Sequence, residues 1–275
     1  MALVDIHVHF MPQNVLDKVW SYFDRVRESG VDWYIHYRTD ENARLTALRE
    51  LGVVAFAPLV YPHKPGMAEW LNEWAADFAA RVPEAVQTGT FYAEPGADAY
   101  VRKALEAGAR CFKSHVQVGG YDPRDELLDG VWGQLAEAGV PVVVHGGDGP
   151  IPGEFTGLGI LDEVLRRHPR LTAVIAHAGM PDYRGALDLV ERYQNVHIDT
   201  CMVGVPFTTR MVAMPDDWNL RIAGIADRVV LGSDFPNIPY PYEVQLDAVR
   251  SWGLDAAAEQ AILHDNGARL LQLSR

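Results

Sequence analysis

Residues 3–10 read LVDIHVHF, an apolar run that carries two histidines at its end. The aliphatic residues predict a buried β-strand, since parallel strands covered on both faces read as nearly continuous apolar runs. His7 and His9 are two positions apart, so both imidazoles lie on one face of a strand with their Cα atoms about 6.5 Å apart. Two unpartnered imidazoles would destabilise a core, whereas both rings can bind one ion. The spacing alone fits a metal site and a structural pair equally well, and His145, His177 and Asp234 at the ends of later strands favour the metal site.

Strand-like runs recur along the whole chain, with helix-like segments between them. They cover residues 2–10, 52–60, 86–94, 109–116, 141–147, 171–177, 195–200 and 228–234. This α/β pattern fits a (β/α)8 TIM barrel, although an open doubly wound sheet of similar size gives the same alternation. Because no linker, repeat or low-complexity segment interrupts the pattern, we expect residues 1–275 to form one domain.

Ionisable side chains occur where the predicted strands end. They are His7 and His9, Lys113 and His115, His145, His177, Asp199 and Asp234. In a closed barrel the carboxyl ends of all strands meet at one mouth, and active sites form there. In an open sheet the same residues would be spread along an edge, so their positions favour the barrel. For Asp199, a polar contact at the mouth and a hydrogen bond to a neighbouring loop are equally good interpretations.

Two helices can be predicted in detail. In residues 67–82, apolar side chains recur every three or four positions, which is typical of an amphipathic helix. In residues 121–139, Asp122 is the expected N-cap, Pro123 the first helical residue and Gly139 the end.

The composition indicates which partners to expect. A formal net charge of −13 argues against nucleic acid and anionic membranes as main partners. No apolar run approaches the roughly 20 residues of a membrane span, and we expect no signal peptide. The two cysteines make a poor disulfide framework, so we expect a reducing, cytoplasmic location. A small-molecule substrate is the remaining expectation.

The motifs DIHVHF, FKSH, VVVHGG, VIAHAG and LGSDFP resemble those of the amidohydrolase superfamily. The resemblance extends from residue 5 to about residue 237. It is strongest to the amidohydrolase-2 branch, which includes aminocarboxymuconate semialdehyde decarboxylase and related hydrolases. It implies a (β/α)8 barrel with a divalent metal ion at the strand ends, zinc with manganese as the alternative. Members are often dimers, so a homodimer is expected.

The resemblance also implies roles for individual residues. His7, His9, His145 and Asp234 would bind a single metal ion. His177 would be a general base or stabilise the transition state. Asp234 would in addition accept the proton of the attacking water.

Lys113 is open to three interpretations: a carboxylated lysine that bridges two metals, an ammonium group that binds a substrate carboxylate, and a structural ion pair. Binuclear members of the superfamily use a carboxylated lysine at the end of strand four to bridge two metals. A single metal is usual in the amidohydrolase-2 branch, so we expect Lys113 and His115 to lie in the substrate pocket. The segments 31–38 and 201–218, with Arg38 and Arg210, are expected to form its walls and bind substrate.

These features predict a metal-dependent hydrolase that attacks a small organic, carboxylated or cyclic substrate with metal-activated water. The alternative is a nonoxidative decarboxylase, a carboxy-lyase of the same superfamily, because both reactions use the same metal ligands. A non-catalytic metal-binding barrel is a third interpretation. The retention of all the implied ligand and acid–base residues argues against it.

Overall fold

The structure is a computed structural model that describes residues 1–28, 30–148 and 152–273. The strands are β1 (Leu3–Val8), β2 (Val53–Pro58), β3 (Thr88–Thr90), β4 (Cys111–His115), β5 (Val142–His145), β6 (Ala173–Ile175), β7 (Val196–Asp199) and β8 (Val229–Val230). Each strand lies within one of the eight predicted runs.

The α-helices connect and follow these strands. They are α1 (Gln13–Glu28), α2 (Glu41–Glu50), α3 (Ala68–Arg81), α4 (Ala97–Glu106), α5 (Val116–Gly119), α6 (Asp129–Ala138), α7 (Leu158–Arg167), α8 (Tyr183–Arg192), α9 (Pro206–Thr209), α10 (Trp218–Gly224), α11 (Glu243–Arg250), α12 (Ala256–Gln260) and α13 (Asn266–Leu270). Short 3-10 turns cover Glu126–Leu128 and Ala226–Arg228, a turn with left-handed residues covers Ala176–Gly179, and a π-helical turn covers Ala261–Asp265. No helix of the described residues is long and apolar enough to cross a membrane.

The strands form a closed parallel barrel. Strands β3 to β8 pair in chain order, and β1 pairs with β2. A bridge between Phe56 and Ala85 joins the β2 side to the chain just before β3. On the other side, the Ile6 amide donates to the Leu231 carbonyl at 2.9 Å, and Val8 bridges to Phe235. The predicted (β/α)8 barrel is confirmed, and the open sheet is excluded.

An apolar cluster fills the barrel below its mouth. Its strand residues are Val4, Ile6, Ala55, Ala57, Cys111, Val143, Val174 and Val230, all buried. Leu271, just after α13, packs against the same cluster. The C-terminal segment therefore adds to the core at the end opposite the mouth.

The two predicted helices differ in outcome. Helix α3 occupies the predicted range and buries Leu71, Ala75 and Phe78, as its apolar stripe requires. Helix α6 ends at Gly139, with φ 63°, as predicted. Its predicted start is wrong, because the Asp122 carboxylate accepts hydrogen bonds from Arg124 and Asp125 caps the short turn that precedes α6.

Two strands end earlier than the sequence suggests. Strand β6 ends at Ile175 and β8 at Val230, so His177 and Asp234 lie in the turns that follow. Both have left-handed backbones, with φ 55° and 65°. Such conformations are uncommon outside glycine and often occur at functional sites. The turns bring both side chains to the mouth.

Candidate metal centre and active site

The end of β1 presents two oriented imidazoles. His7 Nδ1 lies 2.7 Å from Asp199 Oδ2, and His9 Nδ1 lies 2.8 Å from the Leu59 carbonyl oxygen. Since the carbonyl can only accept, His9 donates to it, and a carboxylate imposes the same tautomer on His7. Burial keeps the pKa of His7 well below its usual value, so the ring is neutral. His7 Nε2 therefore keeps a lone pair, and His9 presents its Nε2 to Asp234.

Asp234 faces both Nε2 atoms. Its Oδ1 lies 2.8 Å from His9 Nε2 and 3.8 Å from His7 Nε2. Burial acts to raise the pKa of Asp234, but hydrogen bonding with His9 and the nearby imidazoles outweigh it and hold the pKa below its usual value. A cation bound between Asp234 Oδ1 and His9 Nε2 would replace the hydrogen bond that joins these two atoms.

The donor set fits a divalent metal ion. One donor atom from each of His7, His9 and Asp234 lies within 4.8 Å of the others. Two imidazole nitrogens and a carboxylate oxygen suit zinc, and three protein ligands leave room for water or substrate. Hydrogen bonds from the non-ligating ring nitrogens to a carboxylate or a backbone carbonyl are the usual support of metal-bound histidines. These three are candidate metal-binding residues.

Asp199 organises this part of the mouth. Besides His7, it accepts the backbone N–H groups of His177 at 2.7 Å and Cys201 at 3.1 Å, both through Oδ1. The sequence left two interpretations of Asp199. The structure shows a buried hydrogen-bond acceptor that orients a candidate ligand.

Lys113 lies beside the same site. Its Nζ is fully buried and 2.9 Å from His7 Nε2. Burial lowers the pKa of Lys113 to about 8, against the opposing charges of Asp199 and Asp234. The Lys113 hydrogen bond uses the Nε2 lone pair of His7 that a metal ion would need. Metal binding to His7 must therefore break this hydrogen bond. Lys113 does not line the described cavity, where the sequence predicted it would contact substrate.

His177 has an unused nitrogen at the mouth. Its Nδ1 is buried and has no hydrogen-bond partner among the described residues. Burial lowers the pKa of His177, so the ring is neutral and can accept a proton or a metal. A donor atom of His177 also lies within 4.8 Å of donors from His7 and Cys201, a second cluster that could hold an ion.

His115 and His145 form a stacked pair across β4 and β5. Their backbones are register partners, and their rings lie 4.3 Å apart at an interplanar angle of 12°. The His145 ring is 4.9 Å from that of His177. Among the described residues, His145 belongs to neither cluster of converging donors. Its role as a metal ligand therefore stays a prediction.

The mouth opens into a cavity of about 880 Å³. Its walls include Phe23, Trp33, Tyr61, Met180, Met202, His115, His145 and His177. A cavity of this volume, lined by both apolar and polar side chains, is typical of small-molecule sites. Each of the two predicted wall segments contributes, through Trp33 and Met202.

Arg38 and Arg210 do not line this cavity, contrary to their expected place in the substrate pocket. Arg38 pairs with Asp24 at 2.7 Å, and its guanidinium lies 5.4 Å from the ring centre of Trp20. Arg210 Nε donates to the Pro206 carbonyl at 3.0 Å. Both side chains are held by local partners, which the sequence pattern of their loops could not show.

Other lining residues were missed. Helix α1 supplies Lys18 and Arg25, and the loop after β2 supplies His63. Asn237 accepts from Trp20 Nε1 at 3.1 Å, and its backbone N–H donates to the Asp234 carbonyl at 2.9 Å. The seven-residue spacing of Lys18 and Arg25 places them on one helix face, a signal that was readable in the sequence. Nothing local identified Asn237.

Comparisons with known proteins identify the family and the fold. A family profile described as amidohydrolase matches residues 4–273. An uncharacterized TIM-barrel protein from Bordetella bronchiseptica is 18% identical with a TM-score of 0.77, each chain being 99% covered. No curated protein matches the chain.

Two structures of named enzymes also share the fold. A 2,6-dihydroxybenzoate decarboxylase from Rhizobium is 17% identical, with a TM-score of 0.71 and 99% of each chain covered. A putative 2-pyrone-4,6-dicarboxylic acid hydrolase from Pseudomonas putida is 16% identical, with a TM-score of 0.63, covering 100% of this chain and 98% of that one.

Proposed function

The chain belongs to the amidohydrolase family, and on that premise we propose that it is a metal-dependent hydrolase of a small organic, carboxylated or cyclic substrate. The supporting observation is the convergence of His7, His9 and Asp234 donors at the barrel mouth. We propose His145 as the fourth ligand and zinc, with manganese as the alternative, as the metal. When bound, such an ion polarises a carbonyl and lowers the pKa of water to about 7.

The remaining steps fall to the chain's own side chains. Asp199 and the Leu59 carbonyl keep His7 and His9 in the ligand tautomer. Asp234 is ionised and accepts the proton of the attacking water. His177, neutral and with a free buried Nδ1, accepts or donates a proton at the substrate. Each of these groups thus acts in the protonation state that its surroundings favour.

A nonoxidative decarboxylase is the second candidate. It needs cations that hold a carboxylate, and Lys18 and Arg25 line the cavity between aromatic walls. A protein of similar fold is named a decarboxylase of an aromatic acid, 2,6-dihydroxybenzoate. In that reaction His177 or Asp234 would donate the proton that replaces CO2.

We further propose that residues 1–275 form a single barrel domain that works in the cytoplasm as a homodimer. The support for the location is that Cys111 and Cys201 are both free thiols. Gel filtration with light scattering tests the dimer.

Isotope incorporation separates the two reactions. Zinc-loaded protein is incubated with a panel of lactones, amides, esters and hydroxybenzoates, in H2¹⁸O and separately in D2O. Hydrolysis places ¹⁸O in the product, whereas decarboxylation releases CO2 and places deuterium on carbon. We expect ¹⁸O incorporation that disappears after chelation and in His177→Asn. Turnover that survives both changes would contradict the proposal.

A further inference from the structure

One face of helix α1 forms a wall of the cavity. Lys18, Ser21, Tyr22 and Arg25 occupy positions i, i+3, i+4 and i+7, and all four line the cavity. The other face packs into the core through Val15, Leu16, Val19, Trp20 and Val26. Packing of the apolar face thus fixes the polar face toward the mouth.

This wall is positively charged in an acidic protein. Neither Lys18 nor Arg25 has an ion-pair partner among the described residues, although the chain carries a net charge of −13. Of the acids in this helix, Asp17 accepts from Gln13, Asp24 pairs with Arg38, and Glu28 forms no ion pair with Lys18 or Arg25 among the described residues. Asp234 is the only acid among the described residues that line the cavity. Two cations therefore face the cavity uncompensated.

The wall is tied to the metal end of the cavity. Trp20 Nε1 donates to the Asn237 side chain at 3.1 Å, and Trp33 Nε1 donates to its carbonyl at 2.7 Å. The Asn237 amide in turn donates to the Asp234 carbonyl at 2.9 Å. These bonds hold α1 in a fixed position relative to the candidate metal ligands.

The size of the cavity indicates that one ligand could contact both the cations of α1 and the candidate metal ligands. Lys18 and Arg25 lie about 10 Å apart along the helix axis. The cavity of about 880 Å³ is near the upper end of the range for drug-sized ligands. A single-ring acid would leave much of this volume to water.

We propose that Lys18 and Arg25 bind an anionic group at the end of the substrate remote from the reacting bond. The substrate class is then an elongated anion, with its carboxylate, sulfonate or phosphate at α1 and its reacting group at His7, His9 and Asp234. The placement of the reacting end rests on the proposed function. The positive charges of Lys18 and Arg25 then select substrates that carry a negative charge at this end.

Two-ended probes test this assignment. Alkanehydroxamic acids bind zinc at one end and carry either a carboxylate or a primary amide at the other, in a series of increasing chain length. Binding to zinc-loaded protein is measured by calorimetry. We expect the carboxylate to bind about tenfold more tightly than the matching amide at one preferred length, equivalent to about 1.4 kcal/mol. Added salt should reduce this preference.

Variants of α1 locate the effect. In K18Q/R25Q the carboxylate should lose its tenfold preference while the amide binds as before. Arg27→Gln is the matched control, because Arg27 is on the same helix but packs 3.3 Å from the ring centre of Tyr34 and does not line the cavity. It should keep the preference. Thermal melts check that both proteins are folded.

Two results would overturn the proposal. One is equal binding of carboxylate and amide by the wild type at every length. The other is a preference that persists in K18Q/R25Q or is lost equally in Arg27→Gln. Failure of the proposed function would give a different result. Both probes would then bind zinc-loaded and chelated protein equally well, and the assignment of the two ends of the substrate would also be wrong.

Discussion

The same strands build two layers of the barrel interior with opposite chemistry. In β4, Cys111 belongs to the apolar cluster and Lys113 comes two residues later; in β5, Val143 is followed by His145. The lower layer stabilises the fold by removing apolar surface from water, about 25 cal/mol per Å². The mouth buries ionisable groups, which costs stability unless they are partnered. Stability and chemistry are thus separated along each strand by about two residues.

The largest effect is expected from removing a metal-binding side chain at the barrel mouth. His9→Ala should lower kcat/KM more than about a hundredfold and reduce bound metal per chain, because two remaining donors bind weakly. Elemental analysis and steady-state kinetics measure these changes. His264→Ala, in an exposed pair with Asp265, is the control; full metal content in His9→Ala would refute the ligand assignment.

The next prediction concerns Asp199, the hydrogen-bond partner of the candidate metal ligand His7. In Asp199→Asn, the carbonyl oxygen should stay with the His177 and Cys201 amides, which turns the amide NH2 toward His7 Nδ1. That forces the His7 proton onto Nε2, and metal affinity should fall about 10- to 100-fold. Competition with a zinc-binding dye measures the affinity. An unchanged affinity would show that Asp199 does not set the tautomer.

The lower layer should respond in the opposite way. Val143→Ala should reduce the free energy of unfolding by about 2 kcal/mol, from lost burial and the cavity left behind. Metal content and preferred substrate should not change. Denaturant unfolding and elemental analysis provide the two readouts. Loss of metal with unchanged stability would mean that the layers are not separate.

The smallest effect is expected outside both layers. Arg38→Ala and Arg210→Ala remove exposed side chains held by local partners, so stability should change by less than about 0.5 kcal/mol. We expect kcat/KM to stay within about twofold of the wild type, since neither residue lines the cavity. A large rise in KM for either variant would support the sequence-based interpretation over the structural one.

The sequence predicted the parts of the molecule that depend on local patterns. The eight strands follow from apolar runs, and the His7–His9 pair follows from alternation within one strand. The sequence could not show which way loops and helices face. Arg38 and Arg210 turn to nearby partners, and the Asp122 cap fails because Arg124 takes its carboxylate.

Long-range contacts were also beyond the sequence. The tautomer of His7 depends on Asp199, which is 192 residues away. Asn237 reaches the site only because Trp20 and Trp33 meet it across the fold. The proximity of Lys113 to His7 was implied by the barrel, but its hydrogen bond to the ligand nitrogen was not.

Anomalous diffraction from crystals grown with zinc tests the central claim most directly. The account predicts one ion per chain, about 2.0–2.2 Å from His7 Nε2, His9 Nε2, an Asp234 oxygen and a His145 nitrogen, with Lys113 displaced from His7. Two ions bridged by a carboxylated Lys113, or an ion held by His177 and Cys201 without His9, would contradict it.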